Sequence, residues 1–333
     1  MTHPGLTDRF GREHRDLRIS LTDRCSLRCT YCMPAEGVQW LQRDTMLSTE
    51  EIVRVARVAV EMGIEEIRLT GGEPLLRADV VDVVDRLAHL EGPRGRPEVS
   101  LTTNALRLPA LADALHDAGL ARVNISLDTL RRDRFHELTR RDKLTETLAG
   151  VAAAEAAGLT PIKINAVAMR GINDDEVVDL TQYCVDRGYQ MRFIEQMPLD
   201  AGHTWDRKEM VTGEEILAQL TDRWTLTERD DRGAAPAQVW DIDGGPSSVG
   251  VIASVTAPFC GTCDRVRLTA DGQLRACLFS REESDIRGLL RSHADDEALA
   301  GAIATCLRLK RPGHDIDDPS FLQPDRPMSA IGG

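Results

Sequence analysis

The sequence lacks the features that a membrane-spanning or exported protein would carry. No apolar run among the 333 residues approaches the roughly 20 residues that a membrane-spanning helix needs. The first residues, MTHPGLTDRF, contain neither the basic nor the apolar region of a signal peptide. We therefore expect a cytoplasmic protein without a membrane partner.

Positive charge and aromatic side chains are also scarce. The 54 Asp and Glu residues outnumber the 41 Lys and Arg residues, and the net charge at pH 7 is −13. Such a charge disfavours sequence-independent binding to DNA or RNA. An aromatic content of 4% also leaves few rings on which bases could stack. We expect no nucleic-acid partner, and an anionic small ligand would need a local group of Arg and Lys.

Eight cysteines are present in a chain whose composition, 42% hydrophobic and 29% charged, is typical of a globular protein. In a cytosolic protein such cysteines indicate metal ligands or buried thiols rather than disulfides. Cys184 and Cys306 lie within helical patterns and are expected to be buried thiols. The other six form two groups of three.

Short β-rich runs alternate with amphipathic helical runs from Asp16 to Met197. The strand candidates span residues 16–22, 66–72, 98–104, 122–128, 161–169 and 191–197. Repeated βα units predict a parallel sheet with right-handed crossovers. Since six units are too few for a closed eight-fold barrel, we expect an α/β fold with a partial (β/α)6 TIM-type barrel.

The composition changes after about Leu199, where Gly, Pro, Asp and Thr become frequent. We therefore divide the chain into a partial barrel over residues 1–199 and a C-terminal region over residues 200–333. In the C-terminal region, the sequence predicts a helix near 213–222, a small β-sheet around 249–279 and a single helix near 286–308.

Polar residues occupy one face of several predicted strands. Arg18, Arg68 and Lys163 alternate with apolar residues, although parallel strands covered on both faces are usually apolar throughout. These side chains could pair with one another or face solvent. Taken together with Thr102 and Ser126, they indicate a polar cavity that accepts phosphate or carboxylate groups.

The first cysteine group directly follows the first predicted strand. Cys25, Cys29 and Cys32 have the spacing C-x3-C-x2-C, which matches neither a zinc ribbon nor a ferredoxin. Three thiolates can hold a four-iron cube and leave one iron free for another ligand. The alternative is a zinc site completed by a distant residue, with His14 the nearest candidate.

The second cysteine group consists of Cys260, Cys263 and Cys277, again without an obvious fourth ligand. The C-x2-C pair is a common zinc signature, so these residues alone do not exclude a zinc site. Arg265 and Arg267 lie beside the group and could bind an anion or offset thiolate charge.

Two motifs resemble those of the radical SAM superfamily. They are CSLRCTYC, at residues 25–32, and TGGEP, at residues 70–74. The stretches DLRISLTDRC, LTTN, NISLD, RFIEQMP and RVRL and a terminal Gly-Gly extend the resemblance to the GTP 3′,8-cyclase family, which acts first in molybdenum cofactor biosynthesis. The resemblance covers nearly the whole chain and is weakest over 200–248 and 281–328.

The resemblance implies two [4Fe–4S] clusters, S-adenosylmethionine as cofactor and GTP as substrate. The implied metal ligands are Cys25, Cys29, Cys32, Cys260, Cys263 and Cys277. The implied S-adenosylmethionine contacts are Tyr31, Gly72, Ser126 and Met197. The implied GTP contacts are Arg18, Arg68, Thr102, Lys163, Arg265, Val266 and Arg267. Arg265, Arg267 and the tail residues Gly332 and Gly333 are implied in catalysis, although plain disorder is the alternative for a terminal Gly-Gly.

The implied reaction begins when an electron from an external donor cleaves S-adenosylmethionine at the first cluster. The resulting 5′-deoxyadenosyl radical removes a hydrogen from C3′ of GTP, and the C3′ radical attacks C8 of guanine. The family also suggests a homodimer and a downstream partner enzyme, cyclic pyranopterin monophosphate synthase. Whether this enzyme docks with the chain is left open. The rival interpretations are a peptide-modifying radical SAM enzyme and a zinc-stabilised interaction module.

Overall fold

The computed structural model describes residues 5–318 and 321–332. Six parallel strands form a curved sheet in which neighbours along the chain are neighbours in space. These strands are β1 (Asp16–Ser20), β2 (Glu66–Thr70), β3 (Glu98–Thr103), β4 (Arg122–Ser126), β5 (Lys163–Ala168) and β6 (Gln190–Glu195). The predicted partial barrel is confirmed.

Helices connect these strands on the outer face of the sheet. They are α1 (Thr49–Met62), α2 (Val80–Ala88), α3 (Leu108–Asp117), α4 (Arg132–Thr139), α5 (Leu144–Ala156) and α6 (Val177–Val185). The start of α1 shows how the sequence sets these boundaries, because Ser48 and Glu51 form a capping box there. Gly63, with a φ of 120°, then ends the helix.

The core lies between the helices and the apolar face of the strands. Ile19, Ile67, Leu101, Ile125 and Ile164 are completely buried there. Because successive strand residues point to opposite faces, the polar residues between them point into the barrel. The period-two pattern therefore separates a hydrophobic shell from a polar interior.

Strands from the C-terminal region extend the same sheet at both edges. They are β7 (Leu226–Glu228), β8 (Gln238–Ile242), β9 (Ser248–Ile252), β10 (Arg265–Leu268), β11 (Gln273–Arg275) and β12 (Ser284–Asp285). β9 pairs in parallel with β6, and β10 pairs in parallel with β1. The C-terminal strands thus continue a single twelve-stranded sheet. The division at residue 199 stays a prediction.

A buried carboxylate attaches this extension to the last barrel strand. Glu195 accepts hydrogen bonds from the backbone N–H of Gly213 at 2.8 Å and of Val255 at 2.8 Å. It also accepts bonds from the N–H and the hydroxyl of Thr256. Since the carboxylate is completely buried, these bonds offset its desolvation.

The helices of the C-terminal region are α7 (Gly213–Thr221), α8 (Ile286–Arg291), α9 (Asp296–Arg308) and α10 (Met328–Ile331). The single helix expected over 286–308 is therefore wrong. His293 adopts a φ of 58°, which interrupts the helix, and Asp295 caps α9 by accepting from the N–H of Ala298. Among the described residues, no helix is long and apolar enough to cross a membrane.

Candidate active site

One cavity inside the barrel is lined by both cysteine groups and by most of the predicted binding residues. Its empty space is about 1930 Å³, its mouth to solvent included. Its lining includes Arg18, Cys25, Cys29, Tyr31, Cys32, Arg68, Gly72, Thr102, Ser126, Met197, Cys260, Cys263, Arg265, Arg267 and Cys277. Both cysteine groups and most of the predicted binding residues therefore face one shared space.

The first cysteine group lies on the loop after the carboxyl end of β1. The loop is compact, because the backbone N–H groups of Cys32 and Met33 both donate to the carbonyl of Cys29. Burial, together with the neighbouring Cys25, raises the pKa of the Cys32 thiol to about 12. Burial also raises the pKa of Cys25 and of Cys29. A metal centre that binds these thiolates would have to displace their protons.

Gly72 holds this loop against the end of β2. A Cβ at position 72 would lie 2.4 Å from the carbonyl oxygen of Arg24 and 2.5 Å from that of Asp23. The N–H of Gly72 donates to the carbonyl of Thr22 at 2.7 Å. Glycine is therefore needed here for close backbone packing beside the cysteines.

Tyr31 and Asp128 connect the first cysteine loop to the carboxyl end of β4. The hydroxyl of Tyr31 donates to Asp128 at 2.8 Å. The other carboxylate oxygen of Asp128 accepts from the N–H of Val167 at 2.9 Å. Burial raises the pKa of Asp128 to about 6. These bonds fix the ring of Tyr31 at the cavity wall, on the same side as Ser126.

The second cysteine group lies at the opposite end of the barrel. Cys260 and Cys263 precede β10, which runs parallel to β1, and Cys277 follows β11, which runs antiparallel to β10. Because the first group follows β1, the length of that strand separates the two groups. Five strand residues span about 16 Å. Both groups nevertheless line the same cavity.

Two cationic side chains lie next to one sulfur of the second group. Arg265 Nη2 and Lys310 Nζ are each 3.4 Å from Cys263 Sγ. Burial alone would raise the pKa of Cys263, but Arg265 and Lys310 lower it to about 6. Burial instead raises the pKa of Cys260 to about 11. The three sulfurs are thus electrostatically unequal.

Basic side chains line the cavity between the two cysteine groups. Arg18 is paired in register with Arg68 on β2 and with Arg267 on β10, so three guanidinium groups lie side by side. Burial, together with the neighbouring arginines, lowers the pKa of Arg18 to about 9 and holds that of Arg267 well below its usual range. In the described part of the chain, Nε and Nη2 of Arg18 are buried without a hydrogen-bond partner, and Nε lies 3.5 Å from Asp16 Oδ2 in an ion pair. Buried cations in this state favour an anionic ligand.

Lys163 and Val266 do not line this cavity. Lys163 lies in a neighbouring cavity, and Arg192 lines both. Burial and the nearby Arg192 and Arg122 lower the pKa of Lys163 to about 7. Val266 is 1% exposed and belongs to the hydrophobic core, because it alternates with Arg265 and Arg267 along β10.

The C-terminal tail reaches the basic residues. Arg267 Nη1 donates to the carbonyl of Gly332 at 2.7 Å, and Gly332 is buried. Its φ is 87°, and a Cβ there would lie 2.7 Å from Thr70 Oγ1 and 2.9 Å from Ser20 Cβ. Gly332 therefore has both the conformation and the surroundings that require glycine. The predicted role of Gly333 lies outside the described residues.

Comparison with known proteins identifies the family. The profile of the radical SAM superfamily matches residues 19–184, and that of Molybdenum Cofactor Synthesis C matches residues 189–316. A GTP 3′,8-cyclase of Streptomyces coelicolor is 57% identical over 98% of this chain and 96% of its own length. One from Corynebacterium glutamicum is 54% identical over 98% and 89%. The chain belongs to the GTP 3′,8-cyclase family.

Solved structures support the fold of this GTP 3′,8-cyclase family member. SuiB of Streptococcus suis, bound to its precursor peptide SuiA, matches with a TM-score of 0.59 and 15% sequence identity. The match covers 91% of this chain and 69% of SuiB. At this identity the likeness concerns the radical SAM fold alone.

Membership in the radical SAM superfamily implies a [4Fe–4S] cluster and S-adenosylmethionine, and the thiols have the chemistry that such a cluster requires. Within each group the thiols are close enough to raise the pKa of a neighbour, Cys32 beside Cys25 and Cys260 beside Cys277. Among the described residues, no three His, Cys, Asp or Glu side chains are arranged to hold a single metal ion. The three thiols of the first group all line the cavity where the implied cluster would bind.

Two residues that the sequence analysis missed also face these sites. Arg192 shows a strand-alternation signal on β6, like Arg18 on β1, and could have been found from it. Lys310 carries no local signal, because only the tertiary fold brings it to Cys263.

We expect Gly332→Ala to reduce turnover by about 10²-fold, because a displacement of the tail near 1 Å would disturb the geometry around Arg267. Iron and sulfide content should not change. Gly301→Ala is the matched control, since a Cβ there meets nothing within 4 Å. Equal turnover in the two variants would contradict a role for the tail.

Proposed function

We propose that the chain converts GTP to 3′,8-cyclo-7,8-dihydro-GTP, as a radical SAM lyase in molybdenum cofactor biosynthesis. The proposal is supported chiefly by two cysteine groups, at opposite ends of the barrel, that line one cavity, with Arg18 donors between them that lack a hydrogen-bond partner. This arrangement fits an anionic substrate held between two reactive centres. The curated relatives that share 53–57% of their residues with this chain bear the name of this activity.

The first centre would use Cys25, Cys29 and Cys32 to hold a [4Fe–4S] cluster. Three ligands leave one iron free for the amino and carboxylate groups of S-adenosylmethionine. Residues at the same end of the cavity would contact this cofactor, namely Tyr31, Gly72, Ser126 and Met197. The bond from Tyr31 to Asp128 would keep the tyrosine in place as the cofactor binds.

The second centre would use Cys260, Cys263 and Cys277 to hold a second [4Fe–4S] cluster, whose open iron would bind the guanine of GTP. The unpaired donors of Arg18 and the adjacent Arg68 support a phosphate site next to it. Thr102 lines the same wall. Lys163 and Arg192 would extend the positive charge into the neighbouring cavity, and Val266 would take part through its backbone alone.

When bound, the first cluster and S-adenosylmethionine would supply the one-electron chemistry that removes the C3′ hydrogen of GTP, and the C3′–C8 bond would then form with a final one-electron reduction. The chain's own contribution is positioning. Arg18, Arg68 and Arg267 hold the substrate charge, and Gly332 closes the wall beside Arg267. A buried site also protects a radical from water.

The function also defines the proposed partners. An external donor must supply electrons, and cyclic pyranopterin monophosphate synthase would take the product onward. We further propose a homodimer in the cytoplasm. Native mass spectrometry of the anaerobic protein would test the dimer, and a monomer at micromolar concentration would contradict it.

The metal content of anaerobically purified protein tests the two centres. We expect about eight irons with matching sulfide, falling to about four when either cysteine group is replaced by alanine. GTP turnover should require both groups. Two zinc ions without sulfide, under conditions that preserve clusters, would contradict the radical function and favour a zinc-stabilised module.

The lowered pKa of Lys163 predicts pH-dependent binding of GTP. Lys163 is cationic below its pKa of about 7 and neutral above it, so its attraction for phosphate weakens as the pH rises through that value. We expect the Kd for GTP to rise by up to about tenfold per pH unit above it. Isothermal titration calorimetry of wild type and Lys163→Arg checks this, because arginine stays charged and removes this part of the dependence. Identical pH profiles would contradict a phosphate contact at Lys163.

A further inference from the structure

A buried lysine lies against the second cysteine group. Lys310 lies two residues after the end of α9, and it is 3% exposed. Its Nζ donates to the carbonyl of Arg265 at 2.8 Å and lies 3.4 Å from Cys263 Sγ. Lysine is rarely buried to this degree unless its charge is balanced.

Cys263 is the group that can balance this charge, since its sulfur lies 3.4 Å from Nζ and is anionic when it binds a metal. Arg265, which bonds to the same sulfur, carries the same sign as Lys310 and does not balance it.

A separate set of bonds fixes the position of Lys310. Arg12 Nη1 donates to the carbonyl of Cys260 at 2.7 Å, and its Nη2 donates to the carbonyl of Arg311 at 2.8 Å. Asp8 anchors Arg12 with a buried ion pair of 2.6 Å. Arg12 thus ties the backbone next to Lys310 to the cysteine loop, so the distance from Nζ to Cys263 is held by the fold.

We propose that Lys310 is a positioning residue that raises the reduction potential of the second [4Fe–4S] cluster through its N–H···S bond to Cys263. This inference rests on the proposed function, since it requires that cluster. Reduction adds one negative charge to the cluster, and a fixed cation at a ligand sulfur stabilises the reduced state more than the oxidised one. Hydrogen bonds to the sulfurs and the local charge are known determinants of such potentials.

The test uses the full chain with Cys25, Cys29 and Cys32 replaced by alanine, so that only the second cluster contributes to the signal. Midpoint potentials are measured by an anaerobic redox titration followed by electron paramagnetic resonance. We expect Lys310→Met to make reduction at least tenfold less favourable, a shift of about 59 mV to lower potential for one electron. Arg308→Met removes the same charge from an exposed position two residues away and should leave the midpoint unchanged.

A third variant, Lys310→Arg, separates charge from packing. The proposal is supported if the midpoint potential of Lys310→Arg is close to that of the parent, the triple-alanine chain with Lys310 intact, while that of Lys310→Met is lower. If Lys310→Met loses its iron, recovery in Lys310→Arg supports it and failure to recover overturns it. If Lys310→Met keeps its full iron content and its midpoint potential is unchanged, the role of Lys310 is overturned but the second cluster is not. A parent without iron would overturn the second cluster itself, and the role of Lys310 with it.

Discussion

Burial of several positive charges inside one barrel is the constraint on which the site depends. Asp16 lies among Arg18, Arg68, Arg265 and Arg267, and these cations lower its pKa although burial opposes the shift. One carboxylate cannot balance them, and burial, together with repulsion from Arg68 and Arg265, lowers the pKa of Arg18. The interior is therefore electropositive, and a nucleoside triphosphate between the cysteine groups would offset this charge.

The continuous sheet explains how the two cysteine groups line one cavity. β10 joins β1 in parallel, so the loop before β10 and the loop after β1 lie at opposite ends of adjacent strands. A substrate in contact with Arg18 and Arg267 would lie between them. The C-terminal region is thus part of the active-site wall, and Glu195 holds its other edge to β6.

Much of this architecture could be predicted from the sequence, for physical reasons. Strand alternation separated Ile19 from Arg18 and so indicated both the core and the polar interior, and the cysteine spacings indicated open coordination. The placement of the two cysteine groups at opposite ends of the barrel could not be predicted. It depends on the pairing of β10 with β1, in which Arg267 lies opposite Arg18, and these two strands are far apart in the chain. The contact of Lys310 with Cys263 is hidden for the same reason. The break at His293 depends on one residue with positive φ, which helical periodicity does not reveal.

The proposed reaction requires that this cavity hold C3′ of GTP next to the radical formed from S-adenosylmethionine. An anaerobic reaction of the reduced protein with S-adenosylmethionine and GTP deuterated at C3′, followed by mass spectrometry of the 5′-deoxyadenosine, tests this placement. We expect one deuterium to appear in 5′-deoxyadenosine and to be lost from the cyclised product. Formation of 5′-deoxyadenosine without deuterium, while GTP is bound, would contradict it.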